Sequence, residues 1–411
     1  MTPHDNRIDL IRPDAPKLAQ LGGHPVGVKT LELVNPAQLD VLAAMAGQPA
    51  SIDRKLVVEL WYPAAQSGPG TAYHTVTRDG RTAVCLSGSA TRDAQALGGD
   101  FPLVILSHGY PGNRFLMGHL GENLASKGYV VAAIHHRDPN PYVVSPSIRA
   151  APNFNRPRDI VFVAGQLRGS LGELIDPENV ALIGYSQGGY GVLTAGGATL
   201  DPQGPNIGLV AGGALQKSAR GGADADAVKL AGVRAIVALA PAGGAPSSAW
   251  GADGLAALTA PLLLIQGDSD ATVNYTMGAL AVFGGAVNSD RTLLTYKQAG
   301  HSIALNPAPR EMRGTVWDMD WFEDPIWRQD RINAINLHFI TAFLAVHLQK
   351  DASKAAYLNV GIENSDDGEW NAPAGTPWGA YSPGGAGVTL WKGFQRRHAK
   401  GMMLQHLEAA K

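Results

Sequence analysis

Five short runs of the chain, residues 102–106, 129–134, 180–183, 235–239 and 261–266, are apolar with almost no alternation. A strand exposed on one face alternates, so a continuous apolar run has to be covered on both faces. Longer stretches with helical spacing lie between them. In residues 114–127, for example, Phe115, Leu116, His119, Leu120 and Leu124 recur at helical intervals before Gly128 stops the pattern. Residues 158–167, the stretch from Gln187, 250–258 and 326–349 read as further helices, and 291–296 as the last strand. This alternation, sustained from about residue 100 to 350, predicts an α/β fold: a mostly parallel, doubly wound sheet with helices on both faces.

Residues 28–34 and 55–61 alternate and read as two early, half-exposed strands. Residues 63–99, rich in Gly, Ser, Thr and Ala, read as a long surface connection. Residues 137–157 hold five prolines, Pro139, Pro141, Pro146, Pro152 and Pro157, and are expected to resist regular structure. No repeat of fixed period is present. The expected organisation is one domain over 1–411, with a core at about 25–350, insertions at about 137–157 and 302–325, and a C-terminal extension at 351–411 that ends in a short helical stretch.

Charge and composition narrow the partners. Lys and Arg number 33 against 35 Asp and Glu, a net charge of −2, so no basic excess points to nucleic acid or an anionic membrane. The single cysteine, Cys85, excludes an internal disulfide framework and a cysteine-rich metal site. No apolar stretch approaches the length of a membrane span. The polar N-terminus lacks the apolar segment of a secretory signal, which gives a cytoplasmic location as the expectation. Oligomeric state is left open.

The residues that carry chemistry begin at Gly184-Tyr185-Ser186-Gln187-Gly188. With 50 Gly and 19 Ser in the chain, a G-x-S-x-G match arises about 0.3 times by chance, so context must decide. Ser186 stands where a buried strand turns into a helix. A tight turn there lifts the hydroxyl out of the sheet, and the helix N-terminus supplies unpaired N–H groups for a developing negative charge. A serine nucleophile needs a base, and the base needs an orienting carboxylate. Residues 261–266 run into Gly267-Asp268-Ser269-Asp270, and 291–296 run toward Gly300-His301, so both partners follow later strands in the order Ser, Asp, His. Asp270 is the preferred acid and Asp268 the alternative, with a loop-bracing role expected for Asp268. The loop Ser107-His108-Gly109-Tyr110-Pro111-Gly112 follows another strand, and the Tyr110 N–H is the expected second donor beside the Gln187 N–H. His108 is expected to buttress that loop.

At these residues the chain resembles the serine α/β-hydrolase superfamily, and within it the predicted dienelactone-hydrolase and platelet-activating-factor-acetylhydrolase-like branch. The resemblance is carried by LVVELWYPA (56–64), PLVILSHGYPGNR (102–114), LASKGYVVAAIHHRD (124–138), ALIGYSQGG (181–189), PLLLIQGDSDATV (261–273) and QAGHS (298–302). It implies an α/β-hydrolase fold with lid-like insertions. By the same likeness Ser186 is the nucleophile, His301 the general base, Asp270 its orienter, and Tyr110 and Gln187 the oxyanion donors. Two departures stand out. Dienelactone hydrolases proper use a cysteine where this chain has Ser186. The acetylhydrolases place their acid after the earlier strand, where this chain reads Ala240-Pro241-Ala242-Gly243-Gly244.

Six of the eight tryptophans, Trp317, Trp321, Trp327, Trp370, Trp378 and Trp391, follow residue 300. The connection leaving His301 carries Trp317, Trp321 and Phe322. Together with 137–157 it is expected either to roof the pocket, with Tyr185 also at the pocket, or to brace the C-terminal extension on the core. His135 and His136 end a strand at the same sheet edge, but no further ligand stands at metal-binding spacing, so no metal or cofactor is expected. The expected activity is cleavage of small-molecule carboxylic esters through an acyl-enzyme. An amidase, a cofactor-free lyase or a perhydrolase would use the same triad, and a non-catalytic binding protein of this fold would normally show it broken.

Overall fold

Neighbouring residues of each central strand go to opposite cores. Val104 and Leu106 pack on one face of the sheet, and Leu103 and Ile105 on the other. Both faces are therefore apolar, which is why these strands do not alternate in sequence. The computed structural model describes residues 6–77, 79–139, 147–205, 207–244, 248–370 and 388–410.

The strands are β1 (Val26–Leu39), β2 (Ser51–Pro63), β3 (Ala72–Val76), β4 (Ala83–Ser87), β5 (Thr91–Arg92), β6 (Phe101–Ser107), β7 (Val130–His135), β8 (Ile175–Tyr185), β9 (Val233–Leu239), β10 (Leu262–Gly267), β11 (Arg291–Tyr296) and β12 (Met402–Leu407). The helices are α1 (Val41–Met45), α2 (Gly118–Ala125), α3 (Ser147–Ser170), α4 (Gln187–Ala195), α5 (Ala214–Lys217), α6 (Gly251–Ala256), α7 (Ala279–Gly285), α8 (Val316–Phe322) and α9 (Gln329–His347). Among the described residues a 10-stranded sheet runs β12-β11-β10-β9-β8-β6-β7-β2-β1-β5. From β11 to β7 the neighbours are parallel, whereas β12, β2 and β1 join antiparallel. One face buries residues of α2 and α9, and the other those of α3, α4, α6 and α7. This is the α/β-hydrolase architecture expected from the strand–helix alternation.

Three local expectations give way to tertiary structure. First, residues 63–99 carry the β3–β4 hairpin, anchored by Tyr73, whose hydroxyl accepts from Trp61 Nε1 at 3.0 Å and donates to Glu122 on α2 at 2.5 Å. Second, α3 runs through Pro152 and Pro157. Proline inside a helix costs about 3 kcal/mol. Against that, Phe154, Ile160, Val163, Ala164 and Leu167 are buried, and each larger side chain contributes roughly 1.5–3 kcal/mol, so packing wins. The carbonyl that Pro157 leaves without its helical N–H is that of Asn153, and Tyr190 Oη donates to it at 3.2 Å. Pro141 and Pro146 lie outside the described residues, as does Trp378. Third, the end of the chain pairs with β11 as β12 instead of coiling into a helix. Met402 and Leu404 point into the core while Met403 and Gln405 alternate outward, so pairing overrides helix propensity.

Burial holds several histidines neutral. His119 on α2 is pushed down to about 4 by desolvation and His338 on α9 to about 3, again by desolvation first. His108 and His136 are likewise lowered, chiefly by burial. As pH falls below about 6.5 the unfolded chain binds protons that the folded chain refuses until its own lower values are reached. Stability is thus full above that point and falls through the window beneath it, by about 1.4 kcal/mol per pH unit for each such histidine. Urea unfolding at pH 7, 6 and 5 should show this decline, and His119→Gln should make it shallower. A flat profile would contradict the burial argument.

Candidate active site

Ser186 sits at the apex between β8 and α4 with φ 52° and ψ −116°, a strained conformation for a residue with a side chain. The turn is pinned from β9, because Ser186 N donates to Leu239 O at 2.9 Å and Ala242 N donates to Ser186 O at 2.9 Å. The two flanking glycines are sterically required. A Cβ on Gly184 would lie 2.2 Å from Gly188 O, and one on Gly188 would lie 2.0 Å from Ser107 O.

From this turn a linear chain of contacts runs inward. His301 Nε2 lies 3.0 Å from Ser186 Oγ, and His301 Nδ1 lies 2.8 Å from Asp270 Oδ2. Asp270 is buried, and the same Oδ2 accepts from Gln266 Nε2 at 3.0 Å. Its Oδ1 accepts the Thr272 and Val273 N–H groups at 2.9 and 3.1 Å. Burial works to raise its pKa, yet the His301 contact and the two backbone donors outweigh it and hold Asp270 below its ordinary value. An ionised carboxylate only accepts, so the His301 proton sits on Nδ1 and Nε2 is left to accept from the serine hydroxyl.

Asp268 takes the other course: its Oδ1 accepts the Gln298 N–H at 2.6 Å and the Ser269 hydroxyl at 3.0 Å. Gln298 has φ 61°, so Asp268 braces a left-handed turn on the approach to His301.

The loop at residues 108–112 follows β6. A Cβ on Gly109 would lie 3.5 Å from Ser186 Cβ, so the loop closes directly on Ser186. Among the described residues neither the Tyr110 nor the Gln187 N–H has a hydrogen-bond acceptor. His108 donates into the loop instead of facing the serine, with Nδ1 2.6 Å from Gly109 O. His135 and His136 are both engaged by protein groups. His136 bridges Ser107 Oγ and Asp159, and His135 Nδ1 meets Arg114. No cluster of three or more His, Cys, Asp or Glu with metal-binding geometry occurs among the described residues.

Ser186 and His301 open into a cavity of about 500 Å³. Of the four side chains expected to line it, Trp321 does. Trp317 does not: it is 72% exposed, one turn from Trp321 toward the start of α8, and lies beyond the reach of the cleft. Phe322 packs into a groove between α8 and the β3–β4 hairpin. Tyr185 is buried under His301, its ring 5.1 Å from the imidazole and its hydroxyl donating to His301 O at 3.1 Å. The later aromatics Trp327 and Trp391 serve as braces against Tyr296, Phe339 and Phe394.

The apolar wall opposite comes from Leu200, Ile207, Leu209 and Leu215, in the connection between α4 and β9. Sequence reasoning passed over that segment. Its length, residues 196–232, was the available signal, since such connections usually take roughly 2–6 residues. Trp321→Ala should favour longer ester chains, raising the octanoate-to-acetate ratio of kcat/KM about 3- to 10-fold, while Trp317→Ala leaves it unchanged. A p-nitrophenyl ester series reads both.

The fold is that of the α/β-hydrolases, and a family match together with a structural likeness supports a relationship to the serine α/β-hydrolase superfamily. Residues 49–155 match the family model of platelet-activating factor acetylhydrolase, isoform II, a segment that contains the loop after β6 and ends before Ser186. Among solved structures, a ferulic acid esterase from Streptomyces cinnamoneus is similar, with a TM-score of 0.54 and 21% identity over 84% of this chain and 94% of that one. No curated protein sequence matches.

Proposed function

We propose that the chain is a serine esterase that cleaves carboxylic esters through an acyl-enzyme. The observation that carries the reading is the unbroken line Asp270–His301–Ser186, ending at a turn where neither the Gln187 N–H nor the Tyr110 N–H of the facing loop has an acceptor among the described residues. Ester hydrolysis is also what the acetylhydrolase family match and the esterase neighbour support.

In this reading His301 Nε2 takes the Ser186 proton as Oγ attacks the ester carbonyl. Asp270 stabilises the imidazolium. The tetrahedral oxyanion accepts from the Tyr110 and Gln187 N–H groups, each worth roughly 3–4 kcal/mol of barrier. The intermediate collapses, the alkoxide leaves with the proton from His301, and the serine is acylated. Water, deprotonated by the same nitrogen, then attacks the acyl-enzyme and releases the acid. The leucine and isoleucine wall beside Ser186 suits an apolar group on the ester.

The test is one experiment with two readouts, stoichiometric labelling by a fluorophosphonate and turnover of p-nitrophenyl esters. Folded protein that does neither would end this reading.

A further inference from the structure

The structure assigns to Arg156 the task of aiming the oxyanion donors, a role that rests on the esterase reading above. Arg156 projects from α3 and is completely buried behind the loop after β6. Its Nη1 donates to the His108 carbonyl, and its Nη2 donates to the Gly109 carbonyl at 3.2 Å. The guanidinium is itself fixed by Asp138, through Nη2 at 2.5 Å and Nε at 3.3 Å.

The peptide unit is planar and trans, so its carbonyl and N–H point in opposite directions. Holding the His108 and Gly109 oxygens toward α3 therefore turns the Gly109 and Tyr110 N–H groups the other way. That way lies the serine, as the Gly109–Ser186 approach shows. Neither N–H has an acceptor among the described residues. A cation on the carbonyl oxygen also polarises the amide, which strengthens the N–H at its far end.

The surrounding groups complete the support. His108 Nε2 accepts the His136 N–H at 3.3 Å, so its proton is on Nδ1, where it donates to the same Gly109 oxygen. Behind it, Ser107 Oγ meets His136 Nε2 at 2.9 Å, His136 Nδ1 meets Asp159 at 2.8 Å, and Asp159 holds Arg54 at 2.7 and 2.8 Å. Residues of β2, β6, α3 and the connection after β7 thus converge on one loop. A buried ion pair adds little net stability over an apolar replacement of the same shape. A guanidinium is a poor space-filler here, and a good device for fixing two carbonyls at once.

Arg156 is a positioning residue, and its signature is a split between binding and turnover. In full-length Arg156→Lys, kcat for p-nitrophenyl acetate should fall about 10- to 100-fold with KM within about twofold. The Ki of a trifluoromethyl ketone, which binds as a hemiketal oxyanion on Ser186, should weaken by the same factor. The midpoint of the pH profile of kcat/KM should stay in place, because His301 is untouched. An unchanged kcat in folded Arg156→Lys, or a fall in kcat with no loss of ketone affinity, overturns the assignment.

If that variant does not fold, His108→Asn and His108→Leu take its place. Asn keeps a donor near Gly109 O and Leu does not, so Leu should lose at least about tenfold more kcat and ketone affinity. Equal losses overturn the assignment. Wild-type protein that neither turns over esters nor takes up fluorophosphonate overturns the esterase reading itself, whereas active wild type beside fully active Arg156→Lys removes this role alone.

Discussion

Ser186→Ala is expected to lower kcat for p-nitrophenyl esters roughly 10⁶-fold and to abolish fluorophosphonate labelling, with KM little changed. The hydroxyl forms the bond that defines the reaction path, and its contribution to ground-state binding is small. What remains comes from the oxyanion donors acting on direct attack by water. His301→Ala should cost nearly as much, because an unactivated hydroxyl at neutral pH is a weak nucleophile. The double variant should be no worse than the worse single one, since the two groups act as a unit. Losses that add, or a Ser186→Ala enzyme that still labels, would place the nucleophile elsewhere.

The second large effect separates the two aspartates. Asp270→Asn is expected to reduce kcat about 10³- to 10⁴-fold, while Asp268→Asn stays within about tenfold. Asp270 uses both oxygens, one toward His301 and Gln266, the other toward the Thr272 and Val273 N–H groups. An amide can keep its oxygen on the backbone donors only by turning its NH₂ to His301, which then has to carry its proton on Nε2 and cannot accept from Ser186. Asp268 needs only one acceptor, for the Gln298 N–H, and asparagine supplies it. Steady-state kinetics on the two variants decides the matter, and the reverse ranking would assign the acid to Asp268.

The parts of this molecule legible in its sequence are those set by local rules. A short run rich in apolar and β-branched residues between helical stretches reads as a strand, and residues 291–296 form one with the bounds expected. Ser186, Asp270 and His301 were visible because each follows such a strand in a fixed order. What stayed hidden depends on distant partners. Nothing in Asn153-Phe154-Asn155-Arg156-Pro157 announces that Tyr190 will accommodate the proline, or that Arg156 will reach the carbonyls of His108 and Gly109. Trp317 and Trp321 are alike in sequence, four residues apart on one helix, yet only the second meets the cleft. The C-terminal strand was hidden for the same reason: Met402–Leu407 favours a helix in isolation and a strand only beside β11.

That last pairing also sets the order in which the chain acquires its chemistry. The exit of β11, which carries His301, is held on its outer side by β12 and by the Lys297 N–H donating to Gly401 O at 2.9 Å. The strands leading to Ser186 and Asp270 find neighbours made before or soon after them. The strand leading to His301 has one neighbour until residues about a hundred positions later arrive, a loop whose closure is entropically slow to achieve. A growing chain therefore holds Ser186 long before the strand that leads to His301 is flanked on both sides.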